Sequence, residues 1–343
     1  MAAGLPLPPF LRQSRAQLHA KFIDLEWQQR NRLLQGTQTP TNPADAPSPW
    51  SRLTGDEITA RNRYLNVEPY ANNRVKLNGE AGESGYVNAS PIMLGKRRYI
   101  ATQGPKDTSV GHFYRMLAQE CRHEGPAVVV MLTQTHEAGR EKCFQYYPLA
   151  AEESPLRIAE DEADEGGEGF GGEVDLASVE VDEQCRCEVR RLKLRMRKER
   201  GEVEEKEIRH LLFSGWPDFL IPEGEDRDAL IKLVKLSDTL NASTKPTTYG
   251  RTHAKDEAAS NPRIIHCSAG VGRSGTFIAL DYLLARLDAG TLDYMDAQQD
   301  PIAEAVDLLR QQRMMMVQGE SQFNFLYEVL KEKWEVRQGL VKG

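Results

Sequence analysis

Cys267 and Arg273 have five residues between them in the run Ile264-Ile265-His266-Cys267-Ser268-Ala269-Gly270-Val271-Gly272-Arg273-Ser274-Gly275-Thr276. An apolar strand delivers a cysteine, a tight loop follows, and an arginine opens a helix. Gly270, Gly272 and Gly275 permit backbone conformations that turn successive N–H groups, from Ser268 to Gly272, toward one point. The helix N-terminus adds its dipole there. The resulting cup suits a phosphate dianion, and the Arg273 guanidinium can hold two of its oxygens in a fork. The same positive field lowers the pKa of Cys267 and makes it a thiolate set for in-line attack on phosphorus. Ser274 stands where its hydroxyl would stabilise that thiolate as a leaving group. A Cys-x5-Arg spacing alone recurs by chance; strand, glycine pattern and helix together carry the reading. His266 reads either as a satisfied imidazole at a strand end or as a support for the loop and the Cys267 pKa, and in neither case as an acid or base.

Neither Cys267 nor Arg273 can give a proton to the group that leaves phosphorus. Trp216-Pro217-Asp218 offers a carboxylic acid on a loop stiffened by Pro217, just after a strand that ends near Phe213. Hinged near Gly215, such a loop would close over substrate, bring Asp218 in and expel water. An Asp after Pro is by itself an ordinary turn former, and it is the cysteine loop elsewhere in the chain that gives this one a task.

Strands and helices must position these groups. Helical periodicity is expected over 16–34, 110–121, 227–240, 274–287, 302–316 and 321–336. The β-branched run 127–132 has the pattern of a buried strand. The basic segment 191–197 and the acidic segment 202–213, with a turn at Gly201, read as a hairpin with opposite charges across it. No aromatic residues interleave the basic run, so it is not read as a nucleic-acid surface. Residues 1–17 are Pro-rich and expected to be flexible, ahead of one catalytic domain at 18–340. Two stretches, 152–175 and 241–261, are expected to be disordered insertions.

The net charge of -7 belongs largely to the first of these insertions. It holds ten acidic side chains and one arginine, Arg157, which leaves the remainder nearly balanced. Five cysteines in no framework spacing, with no signal peptide and no long apolar run, predict free thiols in a reducing compartment. The Asn88 and Asn241 sequons are then chance matches. Cys185-x-Cys187 is too close for a zinc knuckle and lacks partners, so no metal and no cofactor is expected.

From about Phe22 to Trp334 the chain resembles the tyrosine-specific, cysteine-dependent protein tyrosine phosphatases, in particular non-receptor, cytosolic members of a fungal-like type with insertions. Beyond the two loops above, Asn62-Arg63-Tyr64-Leu65-Asn66-Val67 is similar to the family's substrate-recognition loop. Tyr86-Val87-Asn88-Ala89-Ser90 and Ala101-Thr102-Gln103-Gly104-Pro105 resemble family core motifs. Gln318-Gly319-Glu320-Ser321-Gln322 resembles its glutamine loop.

The resemblance implies a single α/β domain with a highly twisted mixed sheet flanked by helices. It implies that Tyr64 stacks on the substrate ring, that Asn66 and Phe219 contact substrate, that Gln318 positions the hydrolytic water and that Gln322 assists. Glu137 and Lys142 would support Arg273 and the closed acid loop, along with Trp216 and Pro217. Asn66 stands where many members carry Asp, and Tyr147 where Trp is common. Arg310 and Arg313 fall near a second, basic aryl-phosphate site of some members, but on a helix they read as solvated arginines. The implied activity is metal-independent hydrolysis of phosphotyrosine through a cysteinyl phosphate, by a cytoplasmic monomer with nuclear access. Its partners would be phosphotyrosine proteins, a MAP-kinase-type activation loop among them, with no nucleic acid or membrane. A dual-specificity phosphatase is the rival enzyme, disfavoured by Tyr64. A phosphotyrosine-binding pseudophosphatase is the rival binding module, disfavoured by intact Cys267, Arg273, Asp218 and Gln318.

Overall fold

Five consecutive buried residues, Ala127–Met131, form a strand covered on both faces, as their unbroken apolar pattern requires. The computed structural model describes residues 5–38, 46–78, 85–158, 171–197, 203–218, 220–242 and 260–341. In chain order the elements are α1 (Arg15–Gly36), α2 (Asp56–Arg61), β1 (Ala89–Leu94), β2 (Arg97–Thr102), α3 (Val110–Glu120) and β3 (Ala127–Met131). There follow β4 (His136–Glu137), β5 (Arg140–Glu141), β6 (Leu156–Ile158), β7 (Gly172–Asp182), β8 (Cys187–Arg197) and β9 (Val203–Phe213). Last come α4 (Gly224–Asn241), β10 (Arg263–His266), α5 (Gly272–Asp288), α6 (Pro301–Gln312) and α7 (Glu320–Arg337).

Among the described residues eight strands make one mixed sheet in the order β1-β2-β10-β3-β9-β8-β7-β6. Its centre is parallel: β10 lies between β2 and β3, and β3 pairs with β9. One face carries α4, α5, α6 and α7 around Ile265, Phe277, Leu283 and Leu326. The other carries α3 around Val129, Ile264 and Phe113. Alternation along β10 therefore sends Ile264 and Ile265 to opposite cores, and the strand ends at the level of Cys267. The single α/β domain with helices on a mixed sheet is as the sequence implies.

Several expectations need correction. Residues 9–12 form a short turn whose Phe10 and Leu11 are buried, and α1 begins at Arg15 behind a capping box between Ser14 and Gln17. A Pro-rich composition hid two apolar anchors. Both flanks of the acidic stretch 152–175 are strands: β6 pairs with β7, and β7 pairs along β8. Its acids are used there, since Arg195 of β8 reaches Asp175 at 2.8 Å and Glu173 at 3.5 Å. The centre of that stretch, 159–170, lies outside the described residues, as does most of 241–261. Asn261, at the end of the latter, is buried and donates to the His123 carbonyl. The β8–β9 hairpin forms with Lys193 opposite Glu207 and Arg195 opposite Glu205, while Gly201 lies outside the described residues.

The helix expected over 302–316 stops at Gln312. Beyond it Met315 (φ 59°) and Val317 (φ 56°) adopt left-handed backbone, a costly conformation for a β-branched valine. Arg310 explains it. Its guanidinium donates to the Met316 and Val317 carbonyls at 3.0 Å each and folds the chain back under the helix. All five cysteines are free and buried, and no helix among the described residues is long and apolar enough to cross a membrane.

Candidate active site

The loop after β10 turns its carbonyls outward, and each finds a buried donor. The Cys267 carbonyl accepts from His266 Nδ1 at 3.2 Å and Ser268 O from the Gly104 N–H at 2.9 Å. Arg313 donates to Gly270 O at 2.9 Å and to Ala269 O at 3.0 Å. Val271 O accepts from Gly275 N and Val317 N at 2.9 and 3.2 Å. With the carbonyls so engaged, the N–H groups are left to face the interior of the cup, and Gly270 N–H reaches the Cys267 sulfur at 3.3 Å. Gly270 has φ +72°, and a Cβ there would meet the Thr102 carbonyl at 2.1 Å, so no other residue fits. Gly275 is equally obligatory: a Cβ would meet the Val317 amide at 2.5 Å.

Burial by itself would push the Cys267 thiol up. The Arg273 guanidinium, the Ser274 hydroxyl and N–H, and the Gly270 N–H more than offset this and hold it below its ordinary value. The Ser274 hydroxyl is buried and makes no other hydrogen bond among the described residues, and its influence on the sulfur favours the thiolate. His266 is fully buried. Desolvation lowers its pKa to about 4 despite the Cys267 carbonyl, with Arg63 and Arg273 adding to the fall, so it is neutral. Because its Nδ1 must donate to a carbonyl, Nε2 is an acceptor and takes the Tyr146 hydroxyl proton at 2.7 Å. The Tyr146 oxygen in turn accepts from His210 Nε2 at 2.9 Å. His266 is thus satisfied at both ring nitrogens, one of which donates to the Cys267 carbonyl.

Arg273 is nearly inaccessible and heavily braced. Glu137 takes it bidentately at 2.7 and 3.1 Å, and Glu137 is itself held by the Thr133 hydroxyl at 2.7 Å. The other face of the guanidinium donates to the Trp216 carbonyl and to Asp218 Oδ1, both at 3.0 Å. Lys142 reaches Asp218 Oδ2 at 2.5 Å, and that bond raises the Lys142 pKa. The acid loop is thus drawn down over the cup by two cations. Trp216 is buried, its indole N–H donating to Leu220 O at 3.0 Å, which ties the loop into a short arch. Gly215 leaves room for Asp226, whose carboxylate a Cβ there would meet at 2.5 Å. Phe219 lies outside the described residues.

A cleft of about 300 Å³ opens above the cup. Cys267, Ser268, Ala269, Gly272 and Arg273 line its floor, and Tyr64, Lys142, Asp218, Gln318 and Gln322 its walls. Tyr64 stands upright because its hydroxyl donates to Ser268 Oγ at 2.7 Å, which donates onward to the Lys142 carbonyl. Gln322 Oε1 accepts from the Gly319 N–H at 3.2 Å and caps α7 beside Gly272. Asn66 is not among the lining residues; it is exposed at φ 71° with its N–H on Glu68. Leu65 and Arg140 line the cleft instead.

Arg310 and Arg313, expected to be solvated, are both fully buried. Burial pushes the Arg313 pKa down to about 10, still charged at neutral pH. Besides the cup's two carbonyls it holds Asn88 Oδ1 at 2.7 Å and Ser90 Oγ at 3.2 Å. Arg310 pairs with Glu26 of α1 at 2.8 Å and bends the chain that carries Gln318. Neither is available to a second phosphate. The core motifs have structural tasks of the same kind: Gln103 Oε1 accepts the Arg63 N–H at 2.8 Å, and Asn62 Oδ1 accepts from Tyr86 and Asn88, so the Tyr64 backbone is anchored next to the cup. The available signal was the density of Arg, Asn and Gln in otherwise apolar motifs.

The profile of the protein-tyrosine phosphatase family matches residues 58–332. Tyrosine-protein phosphatase 1 of Saccharomyces cerevisiae is 33% identical over 353 residues, which cover 94% of this chain and 96% of that protein. Receptor-type tyrosine-protein phosphatase C of Homo sapiens is 35% identical over 280 residues, 79% of this chain. The match spans only 18% of that receptor's length. A solved structure of PTPN18 superimposes with a TM-score of 0.69 over 95% of this chain and 98% of that one, at 24% identity, a likeness of fold.

Proposed function

The chain belongs to the protein-tyrosine phosphatase family, and from that premise we propose that it hydrolyses phosphotyrosine in proteins through a cysteinyl-phosphate intermediate. The observation that carries the reading is the convergence of a depressed cysteine thiol, its arginine and a carboxylic acid in one cleft. In the first step Cys267 Sγ attacks phosphorus along the axis of the cup while the P–O bond to the phenol breaks. Asp218, in its protonated form and released from Arg273 as the phosphate takes the guanidinium, gives its proton to the leaving oxygen. Arg273 and the loop N–H groups hold the equatorial oxygens as charge redistributes. In the second step water, held by Gln318, loses a proton to Asp218 and attacks phosphorus. The thiolate that leaves is stabilised by Ser274 and Gly270.

Tyr64 walls the cleft above the nucleophile and supports a preference for a long phenolic substrate over phosphoserine or phosphothreonine. The finer proposals follow from the resemblance: a monomer in the cytoplasm with nuclear access, acting on phosphotyrosine proteins with a MAP-kinase-type activation loop among them. Its nucleophile would be reversibly oxidised by mild peroxide, since a low-pKa thiolate oxidises first. The test is turnover of matched phosphotyrosine and phosphothreonine peptides in the presence of EDTA. Hydrolysis of the phosphotyrosine peptide alone supports the reading. Equal rates on both indicate a dual-specificity enzyme, and binding without turnover a pseudophosphatase.

A further inference from the structure

Among the described residues four cations stand at or beside the cleft, and three of them have acidic partners. Arg273 is held by Glu137 and Asp218, Lys142 by Asp218, and Arg63 by Glu141 at 3.0 Å. Arg140 lines the same cleft, is exposed, and has no carboxylate partner among the described residues. Its root is fixed. It faces Glu137 across the β4–β5 hairpin, whose two turn residues, Ala138 (φ 49°) and Gly139 (φ 72°), are both left-handed. That pairing of conformations belongs to the tight turn that matches strand twist. Glu137 in turn is pinned to Arg273 and Thr133, so the hairpin that presents Arg140 is anchored to the catalytic guanidinium itself. Elsewhere on the rim, Leu65 is 69% exposed and carries no charge, and Asn66 is neutral. A peptide seated with its phosphotyrosine in the cup therefore meets, among the described residues, one cation without a carboxylate partner at the mouth.

We propose that Arg140 is a specificity-determining residue that takes a second anionic group flanking the phosphotyrosine of a peptide substrate, either a carboxylate or a phosphate. The inference rests on the phosphatase reading and narrows it. A planar guanidinium pairs with both anions through the same two-point fork. An exposed pair of this kind is weak and sensitive to salt, so a preference of roughly threefold is expected for a carboxylate. A phosphate, with its second charge and additional acceptors, should give about tenfold.

The test uses the full chain and phosphotyrosine peptides that differ at one flanking position, scanned along the peptide, carrying Gln, Glu or phosphothreonine. The ratio of kcat/KM for the anionic peptide to that for its Gln counterpart is the readout. The wild type should prefer at least one anionic series, losing the preference at high salt. Arg140→Gln should bring the ratio near one, Arg140→Glu should invert it, and Arg140→Lys should retain part of it. Preference for Glu points to acidic segments; preference for phosphothreonine alone points to doubly phosphorylated ones, and each upholds the anion site. A preference that survives in Arg140→Gln, or a wild type indifferent to flanking charge while hydrolysing all three, would overturn it. Failure of the wild type to hydrolyse even the Gln peptide would sink the phosphatase reading together with this one. A melting curve for each variant separates loss of charge from loss of fold.

Discussion

Each carbonyl from Cys267 to Val271 is engaged by a donor from a buried side chain or a neighbouring loop, whereas Asp218 on the acid loop, beyond the buried Trp216, is held over the cleft by two cations, Arg273 and Lys142. The contrast follows from what each has to do. Stabilising charge on a transferring phosphoryl group calls for dipoles that are already oriented, so that nothing reorganises during reaction. Donating and then recovering a proton, with substrate entering and product leaving between, calls for a segment whose contacts are few and polar. One region is built into the sheet; the other is latched to it.

The largest expected effect strikes the cup at its centre. Cys267→Ser should abolish turnover while phosphotyrosine peptide still binds, because the loop N–H groups and Arg273 remain. Anisotropy titration beside a turnover assay checks both halves, and more than a trace of the wild-type rate would remove Cys267 as nucleophile. On the latch, Asp218→Ala should lower kcat by roughly 10²–10⁴, the range of a lost general acid. The loss should be greatest for phenyl phosphates with poor leaving groups and small for strongly acidic phenols. A uniform loss across leaving groups would mean that Asp218 does not protonate the leaving oxygen.

Arg313→Met separates the two regions. It leaves the Gly270 and Ala269 carbonyls, Asn88 and Ser90 short of a donor, at about 1–3 kcal/mol for each group left unsatisfied. Stability should fall, and inhibition by inorganic phosphate should weaken, while the dependence on leaving-group acidity stays as in wild type. Unchanged phosphate affinity in folded protein would show that Arg313 does not shape the cup. The smallest effect is expected from Ser274→Ala. Removing a hydroxyl that favours the thiolate raises the Cys267 pKa, so the acidic limb of kcat/KM should move to higher pH. A limb that stays in place would assign the depressed thiol to Arg273 and the backbone alone.

The same division governs what could be read from sequence. Cys267, Arg273 and Asp218 were marked by residue type and local spacing and Tyr64 by the family resemblance, and all four line one cleft in the structure. Arg310 and Arg313 were misjudged because helical periodicity places a side chain on a face without saying what covers that face. Here the chain doubles back at 313–317, and the coverage comes from the cup and from α1. The flanks of the acidic stretch were misjudged because composition measures the apolar surface a segment owns. It does not register a long neighbouring strand, β8, that supplies backbone partners and arginines. Phe10 and Leu11 escaped notice for a similar reason, since their docking site lies on distant elements.

The central claim is that phosphate passes through Cys267, and rapid acid quench of a single turnover with mass spectrometry tests it directly. Asp218→Ala with a phenyl phosphate of strongly acidic phenol is the favourable case. Formation then needs little protonation, while breakdown lacks its base. The Cys267 peptide should gain one phosphoryl group within the burst of phenol release. Phenol release with no phosphoryl group on Cys267, or with phosphate on another residue, would contradict the account.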